Sequence, residues 1–579
     1  MASIPVVVKH QGKKHEVEVD PTSDGATFKY QLFSITGVEP ERQKIIVKGG
    51  QLKDDADMSK LGLKPKQVLM MMGTPSGDNT SVIERPKEKI KFLEDMTEAE
   101  AAQSEGATPA GLQNLGNTCY MNSTLQTLRS IPELQEELLQ YSASNAGPSS
   151  ASQLSQFGLG GLGASMDLTG SLRDLFKQMS ETQQGFPPLM FLNALRTAFP
   201  QFAQKAKDGH GYAQQDAEEA WSQIVSQLRQ KLKIKDTADT ADGQAAKDLS
   251  FIDKYMAGKF ESVMECDDPA AKEAGEEPVH TEDFFFKLNC HITVETNHLR
   301  DGLATGLKEQ IEKRSEALGR DALYTKTSRI ARLPKYLTVH FVRFDWRRDT
   351  SKKAKIMRKV TFPEELDAVE FCTDDLKKLL IPVRDKIRDI RKEEEDVERA
   401  RKRQRRMKAG EENDVGPSGK EPLQKKSEAK KAAEKAKEED TEMPDVEYKT
   451  EAQIEAERAA SILNAKKELL ALVDSKLSSD DGANQTGLYE LRGVITHQGA
   501  SADSGHYTSF VKKQGAKDPV TGKRKEEDGK WWWFNDDKVS EVDSERIQTL
   551  SGGGQSHSAL ILLYRAVPLS SIDEEENKA

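Results

Sequence analysis

Whatever fold this chain adopts must accommodate one junction, Gly111-Leu112-Gln113-Asn114-Leu115-Gly116-Asn117-Thr118-Cys119-Tyr120-Met121-Asn122-Ser123. A Gly/Asn-rich loop runs there into a segment in which Met121, Leu125 and Leu128 recur at four- and three-residue steps, predicting a helix with one face in a core. Cys119 then sits at or near a helix N-terminus, where unpaired N–H groups and the helix dipole favour an anion and lower a thiol pKa. A lone cysteine is more often a buried structural residue. The loop before it and a histidine segment far along the chain shift the balance toward a nucleophile.

A thiol attacks only as thiolate, so it needs a base, and an imidazole base needs an acceptor that orients it. Of the ten histidines, His506 has the best context: it follows the Gly-rich loop 497–505, begins a strand, and precedes Phe534-Asn535-Asp536 by about thirty residues. Either Asn535 or Asp536 could accept its N–H, and a histidine that merely packs in a strand is the alternative. The Cys…His…Asn/Asp logic is that of papain-like hydrolases, whose partners are distant in sequence.

At 579 residues the chain has room for two to four domains. Its formal charge of −11, with acids and bases interleaved, argues against a nucleic-acid binder. The four cysteines, Cys119, Cys266, Cys290 and Cys372, lie far apart without a CxxC pair, so neither a disulfide framework nor a zinc ribbon is expected. No metal and no cofactor is called for. No apolar run approaches the ~20 residues of a membrane span, and the first residues show no signal-peptide pattern. The expected setting is cytoplasmic and nuclear, with no membrane partner.

Taken in order, residues 4–9 and 14–19 predict two strands around Gln11-Gly12, followed by a helix over 27–36 with Phe28, Leu32 and Phe33 as its stripe. A strand at 43–47, a short 58–61 segment and a strand at 67–72 complete a ββαβ(short helix)β order. That order is a β-grasp pattern and, with Gln43-Lys44-Ile45-Ile46-Val47-Lys48-Gly49-Gly50-Gln51-Leu52, resembles ubiquitin-like domains. The resemblance implies a docking module over 1–75, with Ile46 and Met71 on its recognition face. Residues 76–107 are polar and read as a linker.

The composition is globular again from about 110 to 381. Residues 142–163 read as a loop, 172–176 and 188–199 as helices, and 211–221 as the start of another helix. In that helix Asp216 and Glu219 share the first turn; complementing the helix dipole is their bland reading. Residues 284–292 and 336–344 alternate like strands and carry His291 and His340 as packing residues, 307–318 suits a short helix, and 343–360 reads as a basic loop beside a cleft. Of the 23 residues from Lys386 to Lys408, 17 are charged, so the insertion at about 384–450 is read as a solvated helix, a coiled-coil-like protrusion or disorder. Its Arg401–Arg406 stretch is flanked by acids, which weakens a nucleic-acid reading. A helix over 454–472, strands at 488–496 and 559–564, and an acidic tail at 569–579 complete the chain.

At this point a second resemblance becomes specific. Gly111–Ser123 is similar to the cysteine box of ubiquitin-specific proteases, and Gly505-His506-Tyr507 with Trp531-Trp532-Trp533-Phe534-Asn535-Asp536 resembles their histidine box. Gln214-Gln215-Asp216-Ala217 looks like a third motif, and Tyr324–Ser328 with Arg332–Leu337 resembles the palm strands. The chain is thereby identified as resembling the proteasome-associated branch of that family, its catalytic domain spanning 108–568.

The resemblance implies an α+β protein: a β-grasp domain plus a papain-like thumb, palm and fingers that grip ubiquitin. Cys119 would be the nucleophile, His506 the base, Asn535 the orienting residue and Asp536 a helper. Asn114 would donate its amide to the oxyanion beside the Cys119 N–H. Asp216 would pair with an arginine of the ubiquitin tail, with Gln214 in the same substrate-binding motif, and Tyr507 and Trp531 would wall the channel for the Gly-Gly terminus. The partners implied are ubiquitin conjugates and, through residues 1–75, the 26S proteasome regulatory particle. The activity implied is ubiquitin recycling by hydrolysis after the ubiquitin C-terminal glycine, with loops 343–358 and 498–504 obstructing the cleft until a partner moves them. Many relatives hold zinc in the fingers through paired cysteines, which this chain lacks, so metal-free fingers are expected. A catalytically inactive ubiquitin-binding scaffold is the alternative.

Overall fold

The computed structural model describes residues 4–73, 97–142, 167–206, 211–235, 248–347, 352–412, 451–515 and 527–569, apart from a few positions inside these spans. The loop expected at 142–163, apart from its first residue, most of the linker, the stretch 413–450 and the tail beyond 569 lie outside them. The chain divides into two compact units, Met1–Asp95 and Met96–Ala579.

The first unit is a β-grasp. Its sheet runs, edge to edge, Lys13–Val19, Ile4–His10, Gln67–Met72, Lys44–Val47, Gly50–Gln51, with a parallel central pair. The helix Gly25–Thr36 covers one face with Phe28 and Leu32, whereas Phe33 is exposed. The buried Gln43 amide donates to Lys29 O and Val38 O at 2.9 and 2.7 Å, fastening the helix end to the sheet. Along Gln67–Met72 the side chains alternate, as a pleated strand requires. Leu69 and Met71 enter the core, and Val68, Met70 and Met72 face solvent. Met71, expected on a recognition face, is therefore a core residue at 3% exposure, while Ile46 is exposed at 48% and pairs across the sheet with Met70.

In the second unit a palm sheet is flanked by helices on one face and by a second core on the other. Its main path runs Leu288–His291, Tyr336–Val342, Ser558–Ala566, Leu488–Ser501, Ser504–Lys512, Trp531–Asn535, Lys538–Val542. The helices Cys119–Arg129, Pro132–Gln140, Leu168–Glu181, Leu189–Ala198 and Ala217–Lys231 bury their apolar stripes together with Tyr336, Ile495, Tyr507 and Leu563. On the other face Leu299, Leu303, Leu337, Val339, Phe510 and Trp531 form the second core. At roughly 1.5–3 kcal/mol for each large apolar side chain taken from water, these two cores fix the sheet that carries the site. Glu98–Ala102 is a short helix whose Ala101 carbonyl accepts from Gln183 Nε2, so the body begins inside the expected linker.

The fingers are a four-stranded antiparallel sheet, Lys308–Arg314, Asp321–Arg332, Gly258–Cys266, Val279–Phe285. The expected helix at 307–318 is thus a strand, the helix lying just before it at Leu299–Gly306. Residues 284–292 are two strands broken at Phe286-Lys287. In the 343–360 segment, expected as a loop, Phe344–Arg347 pairs antiparallel with Lys352–Lys355; positions 348–351 lie outside the described residues. Arg343 at the base of this pair is buried, donating to Ala559 O at 2.7 Å, Arg358 O at 2.9 Å and Ser551 O at 3.1 Å.

The charged insertion grows out of a core element. Asp374–Glu412 is one helix with Pro382 inside, about 58 Å long at 1.5 Å per residue. Its early turns bury Leu376, Leu380, Val383, Ile387 and Ile390, and Glu451–Leu472 returns against it through Leu469 and the Lys386–Glu468 ion pair.

Candidate active site

Three segments far apart in sequence meet around Cys119. The cysteine is the first residue of its helix, as the loop-to-helix pattern predicts, and is 2% exposed. The loop leading to it is held by a single amide. Asn114 Oδ1 accepts from Gly116 N at 3.0 Å, from Thr118 N at 3.2 Å and from the Thr118 hydroxyl at 3.3 Å. Gly116 and Asn117 have φ of 92° and 54°, a region that Gly and Asn enter at least cost. Asn117 Nδ2 donates to Tyr212 O at 3.0 Å, tying the loop to the segment that leads into the next helix.

With its oxygen so engaged, Asn114 turns its Nδ2 toward Asp536 Oδ2, 3.0 Å away. Asp536 lies in the two-residue turn between Trp531–Asn535 and Lys538–Val542, with φ 53°, the positive value that tight hairpins favour at such a position. Its carbonyl accepts from Leu112 N at 3.0 Å, and its other carboxylate oxygen accepts from Asn122 Nδ2 at 2.8 Å. The turn fits against two glycines: a Cβ on Gly111 would lie 2.4 Å from Asp537 O, and one on Gly185 2.8 Å from Asp537 Cβ.

His506, on Ser504–Lys512, has its Nε2 2.6 Å from Asn535 Oδ1 and 3.9 Å from Asp536 Oδ2. Of the two acceptors left open by the sequence, Asn535 is therefore the one in hydrogen-bond contact. An amide oxygen only accepts, so the proton of His506 is on Nε2 and Nδ1 presents a lone pair. The Tyr507 N–H beside it points at the Cys119 sulfur and works to lower its pKa; burial outweighs this and, with the Asp536 charge, pushes the thiol up to about 11. The helix-end effect expected from sequence is overridden by desolvation, which favours the neutral thiol.

Asp216 caps the helix Ala217–Lys231, accepting from Glu218 N at 2.9 Å, as its bland reading anticipates. Gln214 Nε2 is buried without a hydrogen-bond partner among the described residues. Tyr507 and Trp531 are fully buried, the first among the helices and against the His497 ring at 4.7 Å, the second in the far core. Neither lines an open channel, because strand alternation turns both indole and phenol inward. His340 lies in its strand as expected, and burial pushes its pKa down to about 4 against the pull of the Glu218 carboxylate, which is ion-paired with Lys287. Among the described residues no His/Cys/Asp/Glu group could hold a metal, and no helix is long and apolar enough to cross a membrane.

The hairpin 344–355 joins the histidine loop. Ala354 bridges Ser501, and Lys355, itself buried, donates from Nζ to His497 O at 2.7 Å. Asn122 is the participant that sequence reasoning missed. The signal available was a poor helix former placed one turn after the cysteine.

Residues 110–564 match the family model described as ubiquitin carboxyl-terminal hydrolase, and residues 6–76 match the ubiquitin family. The chain is 41% identical over 563 residues to ubiquitin carboxyl-terminal hydrolase 6 of Schizosaccharomyces pombe, covering 97% of this chain and 99% of that protein. It is 39% identical over 562 residues to ubiquitin carboxyl-terminal hydrolase 6 of Arabidopsis thaliana, covering 97% and 98%. Ubiquitin carboxyl-terminal hydrolase 14 of Caenorhabditis elegans is 29% identical over 572 residues, covering 99% and 95%.

Proposed function

The chain belongs to the ubiquitin carboxyl-terminal hydrolase family, as a deubiquitinating cysteine peptidase with a ubiquitin-like domain, and on that premise we propose that Cys119, His506 and Asn535 are its catalytic triad. The observation that carries this reading is the 2.6 Å contact of His506 with Asn535, which fixes the tautomer needed at a base.

His506 Nδ1 takes the Cys119 proton, and the sulfur attacks the carbonyl carbon of the ubiquitin C-terminal glycine. The oxyanion that forms is met by the Cys119 N–H and by the second N–H of Asn114, whose first is held by Asp536. Losing one such donor typically costs about 2.7–4 kcal/mol of barrier. Collapse returns the His506 proton to the leaving amine and leaves a thioester; water, deprotonated by His506, then releases ubiquitin and restores the thiol. Gln214, with its buried unpaired donor, offers a hydrogen bond to the incoming tail, and Asp216 offers a carboxylate to an arginine of it.

The ubiquitin-like domain is read as the docking module for the proteasome, with the exposed sheet residues Ile46, Val68, Met70 and Met72 as its contact face. Ubiquitin would then be recovered from conjugates as they reach the degradation machine, in cytoplasm and nucleus. The 344–355 hairpin and the histidine loop border the site and are read as an obstruction that docking relieves.

A ubiquitin C-terminal electrophile tests the triad: it should label wild type and leave Cys119→Ser unlabelled, and labelling of that variant would overturn the assignment. Turnover of a ubiquitin C-terminal fluorogenic substrate should rise when purified proteasome is added; equal rates would reject the obstruction.

A further inference from the structure

Asn122 occupies a position that its chemistry makes expensive. It is an asparagine inside a helix, 2% exposed, where its side chain gains nothing from water and little from helix propensity. Three residues after Cys119, it lies on the same side of the helix. Its Nδ2 meets three acceptors: Asp536 Oδ1 at 2.8 Å, Leu112 O at 3.1 Å and Gln113 O at 3.3 Å. Its Oδ1 is buried with no partner among the described residues. A residue retained solely for packing would not bring an unpaired acceptor into the core. What the amide does is join three segments: the cysteine helix, the strand-like approach to Asn114, and the hairpin turn that carries Asn535 and Asp536.

The geometry of Asp536 depends on this clamp. With Oδ1 held by Asn122, Oδ2 is directed at Asn114 Nδ2, 3.0 Å away, and lies 3.9 Å from His506 Nε2. Released from Asn122, the carboxylate is free to rotate about its own bond and to follow the strongest remaining donor. The Asn114 amide would then lose the contact that sets its plane. Its Oδ1 is bonded to the loop backbone, so a small rotation moves the remaining N–H off the point where negative charge develops. Donors of this kind act only when pre-aimed, because no energy is then spent in reorganising them at the transition state.

We infer that Asn122 is a positioning residue of the hydrolytic reaction, aiming Asp536 so that Asn114 stands ready for the oxyanion; this rests on the triad and oxyanion reading above. It touches no substrate, and its effect passes through Asp536 to Asn114. The charged and titratable groups around the clamp are Cys119 and Tyr120 on its own helix, Asp536 and Asp537 on the turn, and His506 on the neighbouring strand; the backbone segment Leu112-Gln113 brings none.

The test uses the full chain and a ubiquitin C-terminal fluorogenic substrate, with thermal melting as a check on folding. Asn122→Ala should lower kcat about ten- to a hundredfold with KM within about twofold. In a double-mutant cycle with Asn114→Ala, which removes the donor itself, the second substitution should add little, because both act on one group. Asn122→Asp is nearly isosteric and carries the test if the alanine variant does not fold. It opposes a second carboxylate to Asp536 Oδ1, and two such groups share a proton only at lower pH. Its kcat relative to wild type should therefore rise as pH falls from about 8 to 6. Multiplying losses in the cycle, a pH-independent ratio for Asn122→Asp, or a loss confined to KM would overturn the inference. Cys119→Ser separates the two readings: if it remains active the triad fails, and if it is dead while the Asn122 variants keep wild-type kcat, only the positioning role fails.

Discussion

His506 Nε2 stands 2.6 Å from Asn535 Oδ1, and that one contact decides which face of the imidazole is available to the cysteine. Asn535→Ala removes the acceptor and leaves Asp536 Oδ2, at 3.9 Å, as the next one. Turnover should fall by about one to two powers of ten with KM little changed, since general-base catalysis contributes about 10²–10⁴-fold and the substitute acceptor preserves part of it. Asn535→Asp retains an acceptor and should lie much nearer wild type. Steady-state kinetics on the fluorogenic substrate decides; a full-rate alanine variant would remove Asn535 from the mechanism.

The hairpin turn has no room to shift. Gly111→Ala drives a Cβ to within 2.4 Å of Asp537 O, a backbone atom, whereas Gly185→Ala meets the Asp537 side chain at 2.8 Å. The first should cost about 1–3 kcal/mol in stability and a larger share of kcat, because the displaced turn carries Asn535 and Asp536. The second should be milder on both counts. Melting curves beside rate measurements test the order, and equal effects from the two substitutions would contradict it.

Acid should loosen the sheet near the site. Burial and the neighbouring Lys355 push the His497 pKa down to about 3, and burial brings His557 to about 4, against an ordinary value of 6.5. Both are depressed bases, so the unfolded chain binds more protons below pH 6.5. Their contribution to stability is complete above that pH and is lost as pH falls toward 4. The slope is at most about 1.4 kcal/mol per pH unit for each histidine. His497→Phe, which cannot take the proton, should therefore lose less stability than wild type between pH 7 and 5 in chemical denaturation. Parallel curves would show that His497 does not titrate on unfolding.

In the ubiquitin-like domain neighbouring methionines should behave in opposite ways. Met71→Ala empties a core position and should destabilise the domain by about 2–5 kcal/mol. Ile46→Ser and Met70→Ser lie on the exposed face and should leave melting nearly unchanged while weakening association with purified proteasome. Binding unaffected by both surface substitutions would place the docking face elsewhere.

Much of the site was legible because its chemistry sits in contiguous motifs: a loop that must become a helix at Cys119, and a strand that must carry His506. The choice between Asn535 and Asp536 was not, since adjacent residues point apart only once the turn geometry is known. Met71 was misplaced because Val68 through Met72 is apolar at every position, and a pattern without polar residues does not reveal which parity faces inward. The strand Lys308–Arg314 was missed for the opposite reason: Ile311 is its one aliphatic residue, and a finger strand solvated on both faces leaves no alternation to read. Trp531 and Tyr507 were assigned to a channel by motif, yet their burial follows from strand parity. Asn122 shows in the sequence only as a poor helix former, because its carboxylate partner, Asp536, lies 414 positions away.

The hydrogen bond between Asn114 and Asp536 spans 422 positions. During synthesis at about 5–20 residues per second, the cysteine loop emerges roughly 20–80 s before the turn that completes it. Over that interval the helix and its thiol exist without Asp536, and for all but its last thirty residues without His506. On the proposed triad, a ribosome-bound chain therefore exposes no assembled hydrolase to the ubiquitin around it, and activity should begin only when the C-terminal strands close the sheet.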